Sequence, residues 1–312
     1  MTPTVTTRAA LTLIEVLVCI AIVAVVVAIA LPGVQASREA SRKTACSNNL
    51  RQLALGTHQF HNTHRRIPTN GWGFRWMGEP GRGTEEQQPG GWAFQLLPFI
   101  EQTQISSSIS GVSGPRKAER LAKMASTPVS IFRCPSRPGA ATMPVAAEII
   151  YVNAANVDFS NRTDYAINEG DWVSNSGPGP QSDSLADLRA YRWIDSQNVT
   201  GVSWERGSAR LSDISDGTSY TYLVGEKRVS QLGYDTSADN GYDQSMFSGV
   251  DLDTTRWTHL APAADSRHIE PLERRFGAVH HSGFHISMCD TSIQFISYNI
   301  DEKLHRDHGT RR

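Results

Sequence analysis

The segment LTLIEVLVCIAIVAVVVAIAL, residues 11–31, decides how the rest of the chain is arranged. Its one charged residue is Glu15, and from residue 16 onward its one polar side chain is Cys19. As a helix that rises about 1.5 Å per residue, it would extend roughly 31 Å, enough to cross a hydrocarbon core of about 30 Å. The sequence therefore predicts a membrane segment at residues 11–31, followed by a water-soluble body.

Three interpretations of this segment compete. Arg8 and the small residues at Ala28-x-Ala30 and at Val34-x-Ala36 are compatible with a cleaved secretory signal, and a plain signal anchor is the second interpretation. The third accounts for Glu15, because a carboxylate at mid-helix in a membrane costs about 2.5–3.5 kcal/mol and usually has a partner. A cut before Leu11 would create an amine close to Glu15 in sequence, and that amine could neutralise the Glu15 of a neighbouring copy. The residue types favour the third interpretation.

The sequence at this cut resembles the processing site of type IV prepilins and pseudopilins. Those proteins usually carry Gly followed by Phe-Thr-Leu-Ile-Glu, whereas this chain has Ala10 followed by LTLIE at residues 11–15. The resemblance places the cut between Ala10 and Leu11, gives Glu15 a role in subunit assembly and makes Pro32 a helix kink. It implies cleavage and N-terminal methylation by a prepilin peptidase. It also implies assembly with itself or with other pilin-like subunits through the N-terminal helix.

Further segments resemble a large prepilin-like family of unknown function, of the DUF1559 type. They are CSNNLRQ (46–52) with HQFH (58–61), GWAFQLLPFIEQ (91–102), FRCPS (132–136), DISDGTS (213–219) through VGE (224–226), and the carboxy-terminal part. That family ends with a signature of His, nine residues, Asp and Gly. His280 and Asp290 have this spacing, and Thr291 stands in place of the Gly. The family's biochemical role is open, so the resemblance implies an architecture more than an activity.

Local patterns predict an α+β, pilin-like fold, with a long N-terminal helix packed on an antiparallel β-sheet with large loops. Residues 34–63 lack proline and carry apolar residues at helical spacing, so the helix should resume after Pro32 and end by Pro68. The predicted organisation is a leader (1–10), a transmembrane helix (11–31), an amphipathic stem helix (32–66) and a globular domain (67–312). Seven segments predict strands, namely 129–132, 149–152, 165–167, 209–211, 220–224, 285–288 and 294–297.

The charged residues bear on two questions: whether the protein binds nucleic acid, and on which side of the membrane its body lies. The formal net charge is −1, from 30 basic and 31 acidic residues, which argues against a dedicated nucleic-acid binder. Arg8 precedes the membrane segment while Arg38, Arg42 and Lys43 follow it, so the positive-inside rule alone would put the body in the cytoplasm. The resemblance implies the opposite arrangement, a single-pass inner-membrane protein with its body on the periplasmic or extracellular side.

Four cysteines are present, and Cys19 lies in the membrane segment. In an exported body one disulfide is expected among Cys46, Cys134 and Cys289, and their spacing does not choose the pair. We favour Cys46–Cys134, which would leave Cys289 buried and free.

Two groups of histidines are candidate sites. His58, His61 and His64 lie three residues apart, so two of them could bind one metal ion from a helix face, but packing against the body is the favoured interpretation. His280, His281, His285 and Asp290 form a second candidate catalytic or metal site, in which the pair His280 and Asp290 could orient a base for a serine nucleophile. No Gly-x-Ser-x-Gly elbow accompanies them, and we favour a hairpin held together by their hydrogen bonds. We therefore expect no catalytic residues.

An acidic run, which also includes Asp235, is a candidate cation site. Asp239, Asp243, Asp251 and Asp253 supply hard oxygen ligands in a turn-rich region, although their spacing matches no EF-hand loop. We expect no cofactor, with calcium at these four residues as the alternative.

The resulting hypothesis is a non-enzymatic prepilin-like subunit of a type IV pilus-like or type II secretion-like filament. The competing hypothesis is a membrane-anchored, exported enzyme or carbohydrate-binding protein.

Overall fold

The main feature of the fold is one very long helix. The computed structural model describes residues 12–268 and 274–312. Helix α1 spans Leu13–His64, 52 residues, and ends where Arg65 adopts a left-handed φ of 62°. It continues through Pro32, which lacks the N–H that would bond to the preceding turn. The predicted membrane and stem segments are therefore parts of a single helix.

Shorter helices follow in the described part of the chain. The α-helices are α2 (Trp92–Gln95), α3 (Thr103–Ser107), α4 (Gly114–Ala125), α5 (Leu185–Ala190) and α6 (Glu302–Gly309). The 3-10 helices are Leu97–Phe99, Ser130–Phe132, Ser196–Asn198, Leu211–Asp213 and Gln231–Gly233.

Short strands form one main sheet and two small ones. The strands are β1 (Thr142–Pro144), β2 (Phe159–Asn161), β3 (Tyr165–Asn168), β4 (Ser203–Trp204), β5 (Gly207–Ser208), β6 (Tyr222–Glu226), β7 (Thr255–Arg256), β8 (Gly283–Met288) and β9 (Ile293–Ser297). The main sheet has the order β7-β3-β6-β8-β9, and its pairs are antiparallel except for the parallel pair β3–β7. β1 pairs with β2, and β4 pairs with β5. This arrangement confirms the predicted α+β fold.

The second half of α1 packs on the main sheet, chiefly on β6 and β8. Leu50, Leu53 and Phe60 of α1 are completely buried in the main hydrophobic core. Ile167 of β3 and Val224 of β6 belong to the same core. Because burying a side chain of this size contributes about 1.5–3 kcal/mol, these contacts fix the helix firmly to the body.

Four of the seven predicted strands are confirmed. They are 165–167 in β3, 220–224 in β6, 285–288 in β8 and 294–297 in β9. The other three predictions are wrong. Residues 129–132 lie mostly in the 3-10 helix Ser130–Phe132, residues 149–152 form no strand, and residues 209–211 lead into the 3-10 helix Leu211–Asp213.

Candidate functional site

The first half of α1 is apolar and exposed. Residues 12–38 are all exposed, and Leu13, Ile14 and Ile29 show 81%, 69% and 74% of their surface. A contiguous apolar surface of this kind marks a region that contacts lipid or another protein. α1 is also long and apolar enough to cross a membrane.

Glu15 lies in the first turn of α1 and closes a capping box. Its Oε2 accepts hydrogen bonds from the backbone N–H and from Oγ1 of Thr12, both at 2.8 Å. The Glu15 N–H donates to Thr12 Oγ1 at 3.4 Å. The pair thus satisfies donors that the start of a helix leaves without partners. The predicted processing site, Ala10 and Leu11, lies outside the described residues.

A disulfide joins α1 to a loop of the body. Cys46 and Cys134 form this bond across 88 residues of sequence, and Cys289 is buried and free, as we favoured. Next to the disulfide, Asn49 Nδ2 donates to the carbonyl oxygen of Arg133 at 2.8 Å. The motifs CSNNLRQ and FRCPS, which are far apart in sequence, therefore meet at the attachment of α1.

His280 lies beside the disulfide and connects α1 to the sheet. Its Nε2 is 3.3 Å from Glu226 Oε1 and 3.8 Å from Cys134 Sγ. Its Nδ1 is 3.5 Å from Oε1 of Glu39, the oxygen that also accepts from Ser136 Oγ at 2.9 Å. We call the following five residues the attachment cluster: Glu39, Cys46, Cys134, Glu226 and His280.

Glu226 is the buried charge of the attachment cluster. Its Oε2 accepts from the backbone N–H of His285 at 2.6 Å and lies 3.2 Å from the Nδ1 of that residue. Burial opposes ionisation, but hydrogen bonds and charge interactions with His280 and His285 outweigh it and lower the pKa of Glu226 to about 2. The His280 side chain is fully enclosed at this carboxylate. This enclosure suits a structural contact better than a general base that must reach a substrate.

Asp164 holds the other side of the disulfide loop. Its Oδ2 accepts from the Cys134 N–H at 2.7 Å and lies 3.2 Å from Arg133 Nε, while its Oδ1 lies 2.8 Å from Arg137 NH1. Burial would raise the pKa of Asp164, but the two arginines lower it overall. No sequence motif indicated Asp164 as a site residue. The available signal was the pair Arg133 and Arg137 on either side of Cys134, because arginines that become buried in a folded body need an acidic partner.

His280 and Asp290 do not form the predicted pair. Asp290 lies in the turn between β8 and β9, where its Oδ1 accepts from the Ser292 N–H at 2.9 Å and from Ser292 Oγ at 2.6 Å. His280 precedes β8, so the strand, with a rise of about 3.3 Å per residue, separates it from that turn. The two residues therefore act at opposite ends of the hairpin: Asp290 stabilises the turn, and the carbonyl oxygen of His280 accepts from the hydroxyl of Tyr298, directly after β9, at 2.9 Å.

The turn retains a backbone conformation that suits glycine. Thr291 has a φ of 73°, in the left-handed region, which costs a residue with a side chain about 1–2 kcal/mol. We expect Thr291→Gly to raise the free energy of unfolding by about 1 kcal/mol, since relief of strain exceeds the added entropy of the unfolded chain. Denaturant titration would measure it. Thr291→Ala, which keeps a Cβ, should gain less, and a loss of stability in Thr291→Gly would contradict the argument.

The three stem histidines have separate partners. His58 Nε2 lies 2.8 Å from the carbonyl oxygen of Cys289, and His61 Nε2 accepts from the Leu211 N–H at 3.3 Å. His64 packs against aromatic rings, with 4.5 Å between its centroid and that of Phe60. The favoured packing interpretation is confirmed, because each imidazole contacts a different group.

The structure brings three of the four candidate calcium ligands together. Oxygen atoms of Asp243, Asp251 and Asp253 lie within 4.8 Å of one another, and we call these three residues the acidic cluster. Asp239 is instead used inside its own loop, where its carboxylate accepts from the N–H groups of Ser230 and Gly241.

A long apolar helix joined to an α+β body defines a pilin-like architecture. The chain belongs to the family described as protein of unknown function (DUF1559), whose sequence model matches residues 35–303. The matched region begins after the most apolar part of α1 and contains both the attachment cluster and the acidic cluster. No curated protein and no solved structure matches the chain.

Proposed function

We propose that this protein is a non-enzymatic, pilin-like subunit of a type IV pilus-like or type II secretion-like filament in the cell envelope. A prepilin peptidase cuts between Ala10 and Leu11, and the mature helix holds the subunit in the inner membrane before it enters the filament. The observation that carries this proposal is the division of α1 into an exposed apolar half and a half buried in the body.

The dimensions of α1 suit both environments. The exposed residues 12–38 would extend about 40 Å as a helix, more than the roughly 30 Å of a hydrocarbon core. In a filament the same surface would be covered by the helices of neighbouring subunits. A helix that is apolar on all sides is stable among lipids and among neighbouring helices. Exposure of the same surface to water would carry a large free-energy cost.

Glu15 supports assembly more than simple anchoring. A plain anchor gains nothing from a carboxylate, because Glu15 raises the cost of insertion. In the filament, the amine created at Leu11 of one subunit lies against Glu15 of the next and neutralises it. Thr12, which binds the carboxylate in the single chain, would remain beside this pair.

The disulfide supports a body outside the cytoplasm. Disulfides such as Cys46–Cys134 form and persist in oxidising compartments and are rare in the cytosol. This observation opposes the cytoplasmic location that the positive-inside rule would predict for the body from Arg38, Arg42 and Lys43. We therefore place the body on the periplasmic or extracellular side.

A cleft in the body favours a second candidate, an exported carbohydrate-binding protein that keeps α1 as an anchor. The cleft has a volume of about 500 Å³ and is lined by residues that include Trp72, Arg82, Asp183 and Arg206. The Arg82 guanidinium lies 5.2 Å from the centroid of the Trp72 ring. Clefts that combine aromatic rings with a few polar groups are a common form of small-ligand site.

Amino-terminal sequencing and intact mass of the protein from its native membrane test the proposed function. We expect a chain that starts at Leu11, with or without one added methyl group. Ala10→Gly restores the residue that prepilins usually carry and should be processed at least as completely. A start near Leu31 or Ser37 would indicate a discarded secretory signal, and an intact Met1 would indicate a plain anchor. Either result would contradict cleavage by a prepilin peptidase between Ala10 and Leu11.

A further inference from the structure

Turns in the loop before β7 bring the acidic cluster together. The chain turns at Tyr242, whose N–H donates to the carbonyl oxygen of Asp239 at 2.7 Å, and this leads directly into Asp243. It turns again at Asp251, whose carbonyl oxygen accepts from the Thr255 N–H at 3.0 Å. Backbone geometry, rather than sequence proximity, therefore places the three carboxylates side by side.

The cluster is an unfavourable arrangement of negative charge. Asp253 is fully buried and Asp243 is 5% exposed. Oxygen atoms of all three carboxylates lie within 4.8 Å of one another, so their negative charges repel. Three carboxylates this close require protons or a cation to balance them.

Two neighbouring cationic side chains, Arg162 and Lys227, direct most of their hydrogen bonds at carbonyl oxygens. Arg162 Nε donates to the carbonyl oxygen of Tyr242 at 2.9 Å. Lys227 Nζ donates to the carbonyl oxygens of Gly241, at 2.6 Å, and of Asp253. Within residues 12–268 and 274–312, neither side chain donates a hydrogen bond to a carboxylate oxygen of the acidic cluster.

Gln244 adds an independent indication of a ligand. It is fully buried, and its Nε2 donates to Asp251 Oδ2, so its amide group is directed at the acidic cluster. Among the residues that the structure describes, its Oε1 has no hydrogen-bond partner, and neither do the buried Asp243 Oδ1 and Asp253 Oδ2. A buried polar atom without a partner costs about 1–3 kcal/mol, so three such atoms at one place point to a missing ligand.

We propose that Asp243, Asp251, Asp253 and Gln244 bind a hard divalent cation, and that this ion is calcium. The three carboxylates offer oxygen atoms, and so does Gln244 once its amide rotates by 180° and turns Oε1, in place of Nε2, toward Asp251. A set of oxygen ligands without sulfur or imidazole selects calcium or magnesium over zinc or copper. Calcium accepts irregular sets of six to eight oxygens, whereas magnesium requires a near-ideal octahedron and keeps several waters. A buried site with three carboxylates and an amide oxygen therefore suits calcium better.

The ion would fasten the loop to the core. Thr254 follows Asp253, and its carbonyl oxygen accepts from Trp92 Nε1 at 2.9 Å, next to the start of β7. Ser245 follows Gln244, and its N–H donates to the Tyr151 hydroxyl at 3.0 Å. Because proposed ligands are adjacent in sequence to both contacts, calcium should stabilise the folded body and leave the unfolded chain unaffected.

Calcium titration of the EGTA-treated, full-length protein in detergent tests the site. We expect one calcium ion per chain by calorimetry. At a calcium concentration about 100-fold above Kd, the melting temperature should rise by about 5–10 °C. Magnesium chloride at the same concentration should give a smaller rise. Absence of calcium binding to the wild-type protein at millimolar concentrations would overturn the proposal.

Two variants separate the site from general effects of charge. Asp251→Asn should melt at least as high as the wild type without calcium, because repulsion is relieved, and should lose the calcium-dependent rise. Asp235→Asn changes an exposed member of the same acidic run and should keep the full rise. An undiminished rise in Asp251→Asn would overturn the proposal. If Asp251→Asn does not fold, the stoichiometry measured on the wild-type protein decides. The outcome does not depend on filament assembly.

Discussion

Glu15→Leu is expected to abolish filament assembly while leaving membrane insertion intact or improved. Leucine favours insertion by about 0.3–0.6 kcal/mol, whereas a carboxylate opposes it. In the filament, however, the amine at Leu11 of each neighbour would lose its partner in apolar surroundings. Leaving a charge unpaired there costs about 2.5 kcal/mol or more, equivalent to a roughly 60-fold weaker contact between subunits.

The measurement compares membrane-inserted protein with sheared filaments by immunoblot. For Glu15→Leu, the filament fraction should fall about 60-fold or more at an unchanged membrane level. Cys19→Leu, one turn further along α1, is the matched control and should assemble normally. Assembly of Glu15→Leu at the wild-type level would remove the role given to this carboxylate and favour a plain anchor.

The sequence predicted the elements that local patterns determine. The apolar run and the proline-free stretch after it predict α1, and its end at His64 lies close to the expected stop before Pro68. The strands β3, β6, β8 and β9 were predicted because β-branched and aromatic residues lie between turn residues.

The wrong strand predictions have a tertiary cause. Residues 129–132 have strand-forming side chains, yet the chain must turn there to bring Cys134 to Cys46. The carbonyl oxygen of Phe132 accepts from the Asp164 N–H at 2.8 Å, which fixes this turn from a segment far away in sequence. Local preference was overridden by a contact that sequence patterns do not reveal.

The site residues likewise divide into those that local sequence indicates and those that depend on tertiary packing. Cys46, Cys134 and His280 could be singled out by their residue types and motifs. Glu39 could not, and Glu226 was marked only as part of the motif VGE (224–226), because an acidic residue in a stem helix or at the end of a strand normally faces solvent. Their roles depend on the packing of α1 across the sheet, which brings both carboxylates to one imidazole.

Removal of the disulfide by the double substitution Cys46→Ala and Cys134→Ala should produce the largest loss of stability in the body. The bond closes a loop across 88 residues, so its contribution from chain entropy is about 4.6 kcal/mol. Cys289→Ala is the matched control, because it removes a buried sulfur that forms no cross-link, and it should cost about 1 kcal/mol. Denaturant unfolding of the three proteins measures the difference.

The disulfide also determines how force passes from the filament core to the exposed body. In the proposed assembly α1 is held by neighbouring helices, and a pull on the body acts first on the contacts nearest the exposed half of the helix. Those contacts are the hydrogen bond of Glu39 and the bond between Cys46 and Cys134. The double alanine variant should therefore be cut by trypsin within the stem, after Arg42 or Lys43, faster than Cys289→Ala. Thiol titration of the denatured wild-type protein should find two free cysteines. Four free thiols, or equal cleavage in both variants, would show that the helix is held without this bond.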